Sequence, residues 1–154
     1  MIEQDIVRLK ATRDNFFKIV DALVPSELDK IPTGFNNNII WNFGHAIASQ
    51  QLLCYKLAGS QMRLNSDLVK RYKIGTSPSG STPVSEINLL KELAMDSADW
   101  MLEDYNGGLL TATPFTEYTT SYNITLKTVE EAIAFSNMHE ALHLGYAMAI
   151  KRAL

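Results

Sequence analysis

Thr128-VEEAIAFSNMHEALHLGYAMA-Ile150 is the stretch that decides the fold. Thr128 followed by Glu131 is a capping box: the hydroxyl takes a backbone N–H of the first turn and the carboxylate reaches back towards the cap. From that start Val129, Ala132, Ser136, His139, His143, Ala147 and Ile150 recur by threes and fours. They share one stripe of a helix that continues to the C-terminus. The stripe is not a plain apolar seam. Two imidazoles sit one turn apart on it, and Ala132, Ser136 and Ala147 beside them are small, which leaves room for something other than side chains.

The same period recurs upstream. Ile2, Ile6, Leu9, Phe16, Val20 and Leu23 predict a first helix over about Glu3–Leu23, with Arg13 in the one stripe position that is not apolar. An arginine there is expected to snorkel at a bundle edge; the alternative is a buried carboxylate partner. Pro25, Pro32 and Gly34 break the helix, and Asn36-Asn37-Asn38 offers caps for a second, from about Ile39 to Leu57 with a stop at Gly59. A short helix is allowed around Asp67–Lys73, and the Ser, Gly and Pro of 75–83 read as a loop. Thr82 and Pro83 read as cap and first residue of a third helix, with Ile87, Leu90, Ala94, Ala98, Met101 and Tyr105 inward and Gly107-Gly108 at its end. Residues 109–124 are rich in Thr and Tyr and lack a helical period, so they read as an extended loop or a short hairpin. Four long helices without a core strand predict an all-α four-helix bundle, one domain over residues 1–154. The connection from Gly59 to Thr82 is long enough for a crossover between helices 2 and 3.

Composition narrows the function classes. A chain of 154 residues, 46% hydrophobic and 20% charged, can close a core without disulfides, and its one cysteine, Cys54, could not form one internally. The net charge is −3 with no basic run, which excludes nucleic acid as an expected partner. No apolar run is long enough to span a membrane, and the N-terminal residues carry charges throughout, so a cytoplasmic location is expected.

The three histidines carry the chemistry. His45 lies on the inward stripe of helix 2 with Trp41, Ala48 or Ser49, and Leu52; His139 and His143 lie on that of helix 4. One inward histidine is ordinarily a packed core residue. Three would each need a separate buried partner for their ring nitrogens, whereas one shared divalent metal satisfies all of them. Cys54 follows His45 by nine residues and is expected on the opposite face of helix 2, away from such a site. Asp96 and Asp99 read as the solvated face of helix 3.

His139-Glu140-Ala141-Leu142-His143 also matches H-E-x-x-H, which would make Glu140 the general base of a metallopeptidase. None of the residues after His143 is His, Asp or Glu, so a downstream third ligand is missing. A di-iron bundle needs two E-x-x-H motifs, and only Glu140-x-x-His143 is present.

Ile40-Trp41-Asn42-Phe43-Gly44-His45 and His139-Glu140-Ala141-Leu142-His143-Leu144-Gly145, taken with helix order and lengths over nearly the whole chain, resemble the DinB-like (YfiT-like) metal-binding four-helix bundles. The resemblance implies a divalent ion, zinc or nickel, on His45, His139 and His143. It also implies a homodimer, and a small-molecule substrate such as a low-molecular-weight thiol, since some members look like thiol-dependent S-transferases. Members often carry glutamine soon after the glycine of the helix 4 motif, where this chain has Tyr146, a phenol that either serves the site or packs.

Three neutral imidazoles leave a divalent ion with at least one open position, able to hold a thiol as thiolate or a water of pKa about 7. The functions that follow are a metal-dependent thiol S-transferase, a metal-dependent hydrolase of esters, amides or peptides, or a non-catalytic metal-stabilised binding module. Free histidine has a pKa of about 6.5, so acidification from about 6.5 to 5 is expected to displace the metal from a bundle that stays folded without it.

Overall fold

The computed structural model describes residues 2–154; residue 1, where the expected domain begins, lies outside them. Its elements in order are α1 (Ile2–Val20), α2 (Pro25–Leu28), α3 (Ile39–Gln50), α4 (Ser66–Tyr72), α5 (Val84–Asn106) and α6 (Val129–Ala153). Strands β1 (Tyr118–Thr119) and β2 (Thr125–Leu126) pair antiparallel between α5 and α6, with Tyr118 opposite Leu126. The chain is all-α apart from this small hairpin. Among the described residues no helix is long and apolar enough to cross a membrane.

Local chemistry sets the helix ends. The Asn38 side chain accepts the Trp41 N–H at 2.8 Å and caps α3. Thr128 Oγ1 accepts the Glu131 N–H, while Glu131 itself accepts from the N–H of Lys127, one residue before the cap. Helix α5 begins one residue later than expected, with Pro83 as its cap. There the Asp29 carboxylate takes both the hydroxyl and the N–H of Thr82 and ties that residue to the α2–α3 connection instead of to the helix. Helix α3 does not run regularly to Leu57: Gln51–Lys56 forms a wider π-helical turn, which accommodates an extra residue and rotates every face beyond it. Cys54 is thereby carried round to α6, where it is fully buried 3.6 Å from Ser136, instead of facing away from His45.

The four long helices form a ring of contacts: α1 packs on α5 and α6, and α3 packs on the same two. Phe16, Phe43, Ile47 and Leu90 belong to one apolar cluster of the core, and Leu9, Cys54, Met101 and Ile133 to another. Between the two lies a polar layer to which each long helix gives one side chain: Arg13, Gln50, Ser97 and Glu140. Arg13 does not snorkel. It is fully buried, and its guanidinium meets the Glu140 carboxylate at 2.5 and 2.9 Å. The remaining donors reach Gln50 Oε1 and Ser97 Oγ, both at 3.0 Å, and the Ala94 carbonyl, so all five N–H groups are used. An arginine whose every donor is matched has no reason to seek solvent.

Candidate metal centre

His45 comes from the middle of α3, and His139 and His143 from successive turns of α6, the helix packed against it. The rings of His45 and His143 are 4.6 Å apart between centroids, as are those of His139 and His143; His45 and His139 are 5.2 Å apart. One nitrogen from each ring can be chosen so that all three lie within 4.8 Å of one another. The three residues singled out in the sequence are therefore brought together.

Two rings are held in a defined tautomer. His45 Nδ1–H donates to the Tyr72 carbonyl at 2.7 Å, which leaves the lone pair on Nε2. The partner of His143 Nδ1 is Asn42 Oδ1, at 2.8 Å. The Asn42 amide cannot be turned over without cost, because its Nδ2 donates to the Asn38 carbonyl at 2.7 Å. Oδ1 therefore faces the imidazole, His143 Nδ1 must carry the proton, and the lone pair is again on Nε2. Outer partners of this kind orient metal-binding histidines and raise their basicity. The His139 ring has no hydrogen bond among the described residues and is the one free to adjust.

Burial keeps the set uncharged. Desolvation lowers the pKa of His45, partly opposed by its bond to Tyr72. His139 is pushed down to about 4 by desolvation and then by His45; His143 goes to about 3 by desolvation, His139 and His45. Near neutrality the folded chain thus presents three neutral imidazoles with at least two lone pairs turned towards a common space. Acceptors that converge in this way fit a cation of the imidazole-binding class. The indole of Trp41 stacks on His45 at 4.6 Å, its N–H tied to Thr76, and shields one side of the ring. The Ser49 hydroxyl donates to His45 Nε2 at 3.2 Å, a bond that an ion on Nε2 would displace.

The remaining candidates are placed elsewhere. Glu140 is buried in the polar layer with both oxygens on Arg13. Tyr146 is half-buried and packs edge-on against Phe35, with 5.4 Å between centroids. The Cys54 thiol is pushed up to about 12 by burial, which leaves it inert as a nucleophile. Asp96 and Asp99 are exposed, Asp99 pairing with Lys10.

The family model of the DinB superfamily matches residues 8–147. The chain belongs to the DinB superfamily. No curated protein matches it. Metal binding is common in the DinB superfamily, and this chain carries a histidine triad whose geometry allows it.

For this DinB chain, spacing alone pointed to the three histidines but not to Asn42, Tyr72 or Gly44, which position them. Gly44 precedes His45 at the contact between α3 and α4. A Cβ on Gly44 would lie 2.5 Å from the Tyr72 ring, so only glycine lets α4 come close enough for the Tyr72 carbonyl to hold His45. The ring itself is pinned by its hydroxyl, which donates to Glu86 at 2.6 Å. Gly44→Ala should cost about 1–3 kcal/mol in overpacking, offset by about 0.5–1 kcal/mol of helix propensity. The expected result is a net loss of thermal stability together with weaker metal retention, read by melting and by chelator competition. A Gly44→Ala protein as stable and as metal-avid as the parent would show that the α3–α4 contact does not position His45.

Proposed function

We propose that this protein holds a divalent ion, zinc or nickel, on His45, His139 and His143 and acts as a metal-dependent thiol S-transferase on a small electrophile. The observation that carries the proposal is the convergence of three imidazoles, two with Nδ1 anchored to acceptors so that the lone pair is on Nε2. A divalent ion bound there supplies a Lewis acid that lets a thiol lose its proton near neutral pH. The protein's own part is to keep the imidazoles neutral by burial, to fix their tautomers through Tyr72 and Asn42, and to shield His45 with Trp41. Glu140 has no role in this proposal beyond the Arg13 pair, which argues against peptide hydrolysis by an H-E-x-x-H base. The ring of packed helices is taken as a four-helix bundle with its crossover between α3 and α5. The protein is taken as a cytoplasmic homodimer.

The test combines metal analysis of protein purified without added metal with an assay of conjugation between a low-molecular-weight thiol and an electrophile. Conjugation above the solution rate is expected only with metal, and is expected to vanish in His143→Ala. Metal-loaded protein that leaves the thiol rate unchanged, or that cleaves peptides or esters instead, would overturn the transferase assignment.

A further inference from the structure

A cavity of about 260 Å³ opens directly beside the triad, with His139 in its wall. Its floor is apolar, built by Leu52 and Leu53 from the π-helical turn and Phe135 from α6. Ser49 and His139 line it next to the triad, and Lys56 lines it seven residues further along the chain from Ser49. No carboxylate lines the cavity, and the Lys56 ammonium has neither an ion-pair nor a hydrogen-bond partner among the described residues. An uncompensated cation at the rim of an apolar recess suits a ligand that is apolar in the middle and anionic at one end. A single ammonium, with no arginine fork in the lining, matches one negative charge better than the two of a phosphate.

We propose that this cavity takes a small carboxylic acid with an apolar body, its acid group on Lys56 and its reacting end beside His139. The substrate class follows from the spacing as well as the charge. Ser49 and Lys56 both line the cavity, and the seven-residue step between them, which includes the wider π-helical turn, spans somewhat under roughly 10 Å along the axis, the reach of a medium-chain acid. A volume just below the usual 300–1,000 Å³ of ligand pockets suits a small ligand. The proposal rests on the metal-site assignment only for what lies at the His139 end.

The experiment titrates octanoate, octanol and octylammonium into the full chain, metal-free and zinc-loaded, and follows the methyl signals of Leu52 and Leu53 by NMR. In the metal-free protein octanoate should move those signals and bind about threefold to fivefold more tightly than octanol, the preference an exposed lysine gives. Octylammonium should bind most weakly. Lys56→Met should erase the preference for octanoate and leave octanol unchanged; the residue is exposed, so folding is not at stake. Equal binding of acid and alcohol, or shifts confined to other methyls, would overturn the proposal. A preference that appears only with zinc and survives Lys56→Met would place the acid against the triad and overturn the orientation. Failure of zinc to bind at all would remove the metal assignment while leaving the metal-free titration to judge the cavity.

Discussion

Alanine at His45, His139 or His143 is expected to abolish stoichiometric metal binding while leaving the chain folded. Loss of an outer partner of a metal-binding histidine typically costs 10–100-fold in affinity, and loss of one of three direct ligands should cost more. The apolar clusters on either side of the polar layer do not depend on the triad for closure. The acid dependence follows from burial. In the folded metal-free chain His139 and His143 protonate only near pH 4 and 3, whereas in the unfolded chain they protonate near 6.5. Between those values the unfolded state binds more protons, so the stability of the metal-free protein should fall as pH drops from about 6.5 towards 4. Protons compete with metal on the folded chain only at the lower end of that window. The gain in melting temperature given by metal should therefore persist at pH 5 and collapse near pH 4, lower than free histidine would suggest. Melts of loaded and metal-free protein across this range check it. A gain already lost at pH 6 would contradict the buried, neutral triad. A triple His→Ala variant that kept its metal would place the ion elsewhere.

The histidines were legible because helix periodicity is a property of the chain alone: positions 139 and 143 share a face whatever they pack against. The caps at Asn38 and Thr128 were legible for the same local reason. What could not be read depends on partners distant in sequence. Thr82 looks like a cap until Asp29 claims it, 53 residues away. Arg13 looks like an edge residue until Glu140, 127 residues on, meets it in the core. The π-helical turn has no compositional mark in Gln51-Leu-Leu-Cys-Tyr-Lys56, yet it sets which residues line the cavity and turns Cys54 towards α6. Short α4 is only allowed by the sequence, yet its last carbonyl fixes the tautomer of His45.

Glu140→Gln separates two roles for the same residue. A peptidase base would lose activity on this change and keep its stability. The geometry instead makes Glu140 the counter-charge of an arginine buried at the level where all four long helices meet, so the variant should be strongly destabilised. Removing one partner of a buried pair costs about 3–5 kcal/mol, because the remaining charge is stranded in a medium that cannot solvate it. Against a typical total of about 5–15 kcal/mol, this is enough to lower the melting temperature severely. Arg13→Lys should also be costly despite keeping its charge: three donors on a flexible stem cannot serve Glu140, Gln50, Ser97 and the Ala94 carbonyl together. Arg13→Met combined with Glu140→Leu should recover much of the loss, since neither member is then left unpaired. The coupling measured by that double-mutant cycle, from denaturant unfolding, is the decisive quantity. A Glu140→Gln protein of parental stability, or single and double variants whose effects simply add, would show that the pair does not act as a unit. Strong coupling would mean that the glutamate within the histidine-bearing stretch of α6 serves the core, while the histidines on either side of it are left to the candidate site.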